Sequence, residues 1–270
     1  MALPHETAQD AQRVDVFDRV LVEIDETPES LAAAAQAKCL VPAGGELELL
    51  AVVERAAAAH AGAAAVFAAD ASEAATAAAL EHATKLLEPT SSRFVAGRAV
   101  DALLREAAAV DATLAVVGMH RHGRLTAKLF GTLDATVLRD APCSVLVARP
   151  GWGATKPKKV VVGFDGSPDS TFAQRAARSL AERLGCELQV VIALGGKPVA
   201  DAVFAPENAG AVLDPRDPPL ALASAGSPCD LIVIGRRGAH SGRGLGRVGE
   251  RVVYGAQCSV LVVRPPAPGA

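Results

Sequence analysis

The chain has 270 residues, half of them apolar, a net charge of −3 and five cysteines. That length and apolar content suit one large or two small packed domains, and the near-neutral charge offers no basic surface for nucleic acid or an anionic membrane. Cys39, Cys143, Cys186, Cys229 and Cys258 are odd in number, widely spaced and without a CxxC pair, which fits a reduced, cytoplasmic protein.

In chain order, the first 15 residues are polar and lack the apolar core of a secretory leader. RVLVEI (19–24) reads as a buried strand ended by Asp25, after which Thr27 caps and Pro28 opens a helix. ELELLAVV (46–53) reads as a second strand. The alanine-rich tract 56–79 is interrupted by His60, Asp70, Ser72 and Glu73, so it does not qualify as a membrane span. Asp70 with Glu73 three residues later reads as a capping box for a helix that Pro89 stops. LAVVG (114–118) is a strand ending in Gly118. A basic segment follows, Gly131 and Thr132 start the next helix, and APCSVLVARP (141–150) holds a last strand.

Beyond PGWGATKPK (150–158), the same blocks return in the same order. They are KVVVGFDGSPDS (159–170), ELQVVIAL (187–194), LIVIG (231–235) and AQCSVLVVRP (256–265). Ser167 caps a helix that Pro168 opens and Gly185 stops. The second copy lacks about two dozen residues where the first carries its long helix, and 195–219, rich in Pro and Gly, reads as loop with one short turn or strand. The spacing predicts two α/β domains, 16–150 and 157–266, joined by the linker 151–156, each an open, doubly wound, mostly parallel sheet.

In such sheets, ligands bind beyond the carboxyl ends of the strands. A glycine at Gly118 lets a ligand approach the backbone, and free N–H groups at the start of the following helix attract phosphate. Thr132 adds a hydroxyl donor, and Arg121, Arg124 and Lys128 add positive charge. The same residues equally serve a plain turn and a plain helix start. The chain holds no GxxxxGK[ST], and its one GxGxxG, 244–249, lies too far beyond its strand to count as a dinucleotide fingerprint.

The paired starts VLVEIDETPES and VVVGFDGSPDS, the VVG and VIG strand ends with their loops, and the endings APCSVLVARP and AQCSVLVVRP resemble the universal stress protein family in its tandem form, over about residues 17–265. The resemblance implies a Rossmann-like, five-stranded sheet of the adenine nucleotide alpha hydrolase type in each domain. It also implies pairing of the domains through their last strands and a role in stress adaptation. ATP-binding members carry G-x2-G-x9-G-[ST], with an Asp ending the first strand and a Val ending the second. Carried over, domain 1 supplies Asp25, Val52, Val117, Gly118, Gly131, Thr132 and Leu133, with Arg121 where the second glycine belongs and Gly123 beside it. The Arg121 side chain either fills the phosphate cradle or becomes a phosphate ligand. Domain 2 keeps Asp165, Gly235, Gly238 and Gly246, but its loop is two residues short, Arg247 stands at the hydroxyl position and Ala193 replaces the valine.

The resulting expectation is ATP or a related adenine nucleotide, with or without Mg²⁺, in domain 1, with domain 2 as packing partner and a regulatory protein as the further partner. Domain pairing within one chain or a homodimer both fit. No GxSxG and no acid–base pair points to catalysis, so hydrolysis is slow at most; a scaffold without nucleotide and a slow ATPase or phosphotransferase are the alternatives. Asp25 and Asp165 read equally as local caps. His120 and His122 lack further metal ligands, His60 and His82 read as surface residues, Cys143 and Cys258 as small core residues, and Trp152 as packing between the domains.

Overall fold

The computed structural model describes residues 17–53, 63–119, 132–152, 155–196, 208, 210–225, 230–238 and 245–265. The first half runs β1 (Arg19–Ile24), α1 (Pro28–Leu40), β2 (Glu46–Val53), α2 (Ala63–Leu87), β3 (Ser91–Ala96), α3 (Ala99–Ala109), β4 (Leu114–Gly118), α4 (Thr132–Asp140) and β5 (Ser144–Ala148). The second runs β6 (Lys159–Gly163), α5 (Pro168–Leu184), β7 (Glu187–Ala193), β8 (Val212–Asp214), α6 (Pro218–Ala225), β9 (Leu231–Gly235), α7 (Arg247–Gly255) and β10 (Ser259–Val263).

Local chemistry sets several of these boundaries. The Thr27 side chain accepts from the Ser30 N–H, and Pro28 sits at the first position of α1. Ser167 and Pro168 repeat the arrangement in α5, which ends at Gly185 in the left-handed conformation that glycine adopts without steric cost. One expectation fails. α2 begins at Ala63, so Asp70 and Glu73 lie inside the helix and form no cap; the alanines around them favour continued helix over a new start.

Each half has its strands in the order 3-2-1-4-5, all parallel, with the reversal of strand order between β1 and β4 and again between β6 and β9. The halves do not form separate sheets. β5 and β10 pair antiparallel, with Val145, Leu146 and Val147 opposite Val262, Leu261 and Val260, and this fuses everything into one ten-stranded sheet. At the outer edge of the second half, the three-residue strand β8 pairs with β7 where β3 pairs with β2 in the first.

Between the exposed edge strands β3 and β8, the sheet is buried on both faces. One layer of side chains, including Val20, Val22, Leu49, Val116, Leu146, Val162 and Leu261, packs with α1, α2 and α5, and Trp152 is buried within it. The opposite layer, including Leu21, Leu50, Val117, Val145, Val161 and Val260, packs with α3, α4, α6 and α7. Each layer takes residues from both halves, so the apolar core passes through the β5–β10 seam without a break. No helix among the described residues is long and apolar enough to cross a membrane.

Candidate functional site

The carboxyl ends of β1, β2 and β4 meet at the reversal point of the first half and bring Asp25, Val52, Val117 and Gly118 to one rim of the sheet. Asp25 follows β1 directly. Its Oδ1 accepts from Thr27 N at 2.9 Å and Thr27 Oγ1 at 2.5 Å, while Ser30 Oγ donates to its carbonyl at 3.0 Å and accepts from its N–H at 3.2 Å. At least one carboxylate oxygen is therefore committed to the start of α1, as a local cap requires. Val52 is half-buried against the α3/α4 layer, and Val117 is fully buried within it.

Gly118 has a different reason to be glycine from the one its position suggests. A Cβ there would stand 2.9 Å from the carbonyl carbon and oxygen of Glu29 and 3.0 Å from Ser30 N. The close approach is made by the first turn of α1, so the missing side chain serves helix-on-strand packing. Gly235 repeats this more tightly, at 2.6 Å from Asp169 C and 2.8 Å from Ser170 N. Thr132 is the first residue of α4, as expected, and Leu133 follows it. Arg121, Gly123 and Gly131 lie outside the described residues, as do His120, His122, Arg124 and Lys128. His82 is exposed on α2, and Cys143 and Cys258 are buried, as expected; His60 and Cys229 also lie outside the described residues.

In the second half, Asp165 Oδ1 accepts from Ser167 N at 3.0 Å, and its Oδ2 lies 2.9 Å from where a Cβ of Gly238 would stand. Strand-end acid and loop glycine are thus neighbours. The intervening Arg237 turns back onto α5: its backbone N–H donates to Asp169 Oδ2 at 3.1 Å, and its guanidinium reaches both Asp169 oxygens at 3.2 and 3.4 Å. A buried carboxylate of the chain itself takes these donors, where a loop of this type would offer its N–H groups to a phosphate. Gly246 is the N-cap of α7 and Arg247 its exposed first residue, without a side-chain hydroxyl at that helix start.

The arginines that close each repeat hold the halves together, a role the sequence reading missed although Arg149 and Arg264 recur in the matching endings. Arg149 is buried in the seam, and its guanidinium donates to the carbonyls of Cys258, at 3.0 Å, and Val253. Its carbonyl accepts from Gln36 Nε2 at 2.6 Å and its N–H donates to Ser259 Oγ at 2.9 Å, which in turn donates to Gln36 Oε1 at 2.7 Å. In the opposite direction Arg264 donates to Ala141 O and Arg236 to Arg139 O, both at the end of α4. Burial and the nearby guanidiniums of Arg264 and Arg237 hold Arg236 below the ordinary arginine range. Positive charge at the carbonyl ends of α4 and α7 complements their dipoles. Among the described residues, no group of three His, Cys, Asp or Glu is placed to hold a metal ion.

A family model described as the universal stress protein family matches residues 17–149 and 214–264. Two universal stress proteins of Mycobacterium tuberculosis strain H37Rv are each 28% identical over 184 residues, covering 57% of this chain and 62% of theirs. The chain thus matches somewhat under two thirds of those relatives' length. Among solved structures, a universal stress protein from Archaeoglobus fulgidus superimposes with a TM-score of 0.69 at 16% identity, covering 92% of this chain and 97% of that one. A functionally unknown protein from Pseudomonas aeruginosa PAO1 gives 0.66 at 18% identity, covering 95% of both chains. At these identities the structural likeness speaks for the fold.

Proposed function

The chain belongs to the universal stress protein family, and on that premise we propose that its amino-terminal half holds ATP or a related adenine nucleotide, with or without Mg²⁺, as a stress-adaptation module. Val52 and Asp25 face the adenosine, Val117 and Leu133 line its flanks, and Gly118, Gly131 and Thr132 with Arg121 and Gly123 receive the phosphates. The observation that carries this reading is the meeting of Asp25, Val52, Val117 and Gly118 at the reversal of strand order in the first half, the kind of place where open parallel sheets take ligands. The second half turns the Arg237 donors inward onto its own Asp169, which disfavours an incoming anion by both charge and occupancy. Nucleotide in one half only would make occupancy a single binary signal, read by a protein partner on the surface beside the loop. Thr27 engages one Asp25 oxygen, which weakens that carboxylate as a general base, so turnover is slow.

Calorimetric titration with ATP and Mg²⁺ tests this reading. Saturable binding at one site per chain that Gly131→Val abolishes is expected; no binding, or binding indifferent to that substitution, refutes it. A second reading, a paired scaffold without nucleotide, draws on two facts: α1 already accounts for the glycine at 118, and the arginine seam gives the repeat a purely architectural purpose.

A further inference from the structure

The ten-stranded sheet ends in two edge strands, β3 and β8, and the chain treats them differently. Successive residues of a strand turn their N–H and C=O groups to opposite sides, so on an edge strand every second residue faces outward. In β8, Asp214 O accepts from Leu194 N at 2.7 Å, which puts Val212 and Asp214 inward and Ala211, Leu213 and Pro215 outward. The Ala211 N–H is spent on Asn208 O at 2.9 Å and proline has none, so Leu213 alone offers both groups and that edge is blunted. In β3, Val53 O accepts from Gly97 N at 3.0 Å, which with the β2 register turns Arg93 and Val95 inward and Ser92, Phe94 and Ala96 outward. The outward N–H and C=O groups of these three residues have no partner among the described residues, and no proline interrupts the strand. The open edge is therefore β3.

Its side chains agree. Ser92 pairs in register with Leu49 of the α1/α2 layer, so Ser92, Phe94 and Ala96 stand on that face. α2 packs on β2 and leaves all three exposed, with Phe94 41% open to water. On the other face Arg93 is held by Glu48 at 2.7 Å and Glu106 at 3.3 Å, so its charge is already matched within the chain. Such an edge is its own complement. A two-fold axis perpendicular to the sheet at Phe94 sets two β3 strands antiparallel, with Phe94 against Phe94 and Ser92 against Ala96 of the second copy. Each outward backbone group then meets its counterpart, the two rings form a cross-strand pair flanked by small residues, and Arg93 falls opposite Val95. β5 and β10 already join edge to edge in this antiparallel manner within one chain. With β8 blunted, the pairing stops at two chains and cannot run on as a filament.

We propose that the chain forms a two-fold dimer by antiparallel pairing of β3 with β3 of a second copy, joining the two ten-stranded sheets. The inference is independent of the nucleotide reading. Sedimentation velocity of the full chain, from low to high micromolar concentration, tests it: wild type passes from monomer to dimer, with no larger species. Ala96→Pro removes one outward N–H where an edge strand tolerates proline, and Phe94→Asp sets two carboxylates against each other. Each raises the dimer Kd about tenfold or more and leaves the circular dichroism of the monomer unchanged. Bismaleimidoethane reads the register. Phe94→Cys, whose Cα lies about 5.5 Å from its twin, is cross-linked into dimer above the wild-type background, and Ser92→Cys, displaced from its twin by about 13 Å along the strands, is cross-linked far less. Should Phe94→Asp fail to fold, Ala96→Pro and the cross-links decide. A dimer that withstands both substitutions, or equal cross-linking from the two cysteine variants, overturns the proposal. A monomer at every concentration also overturns it, and leaves the edge to an extended peptide of another protein or to no partner.

Discussion

Replacing Arg149 by alanine should loosen the seam between the halves. The side chain is 4% exposed and gives hydrogen bonds to Cys258 O and Val253 O. Val253 belongs to the last turn of α7, where carbonyls lack partners within the helix. Each buried carbonyl left without its donor costs about 1–3 kcal/mol, so the pair costs about 2–6 kcal/mol, with a further loss from the cavity. For a chain of this size, at about 2 °C per kcal/mol, that corresponds to a fall in Tm of roughly 4–12 °C. Thermal melts by circular dichroism, with urea unfolding followed through the buried Trp152, supply the measurement. Arg149→Lys, which keeps one donor group, should lose less, and Lys85→Ala on the exposed face of α2 should leave the midpoint in place. An Arg149→Ala protein within about 1 kcal/mol of wild type would mean that desolvating the guanidinium cancels its bonds, and the seam would owe its stability to strand pairing and apolar contact alone.

Gly235→Ala should destabilise by about 1–3 kcal/mol, and more than Gly118→Ala, because the new methyl meets unyielding backbone of α5 at 2.6–2.8 Å against 2.9–3.0 Å from α1; parallel denaturant titrations check the order. Hydrogen bonds from Arg216 hold the Asp214 carboxyl down at about 2. A carboxylate depressed in the folded state adds stability above its unfolded value of about 3.9 and loses it as pH falls from there through the folded value. Asp214→Asn should therefore flatten the stability profile between those limits and change little of its shape at neutral pH. Burial pushes the Cys143 thiol up to about 11, so maleimide at pH 8 should label it only as fast as the chain unfolds, a rate that mass spectrometry of quenched samples reads directly.

What was legible in the sequence was mostly local. Thr27–Pro28 and Ser167–Pro168 announce helix starts because a cap is satisfied within four residues, and the uninterrupted Val, Leu and Ile runs announce strands buried on both faces. Asp70 misled for the same reason: its spacing to Glu73 is that of a cap, but the alanines upstream already favoured helix. The resemblance located Asp25, Val52, Val117 and Gly118, and the fold brings them to one rim. The reason for glycine at 118 was not legible, because the atoms that would collide with a side chain belong to α1, almost ninety positions earlier.

The repeat itself, read as a one-dimensional pattern, determined two α/β units, four apolar strands in each and the poorer loop of the second, since each follows from residue type and short-range spacing; the edge strand β3 and the helix α3 were not read from it. The tertiary structure alone decided that the units share one sheet, that Arg149, Arg236 and Arg264 cap the other half's helices, that Arg237 closes on Asp169, and that Glu23 is buried beside Val117. A charged letter in a strand has no partner and no depth until the chain returns to cover it. Those contacts join residues up to a hundred positions or more apart, and only the closed core fixes which of them meet.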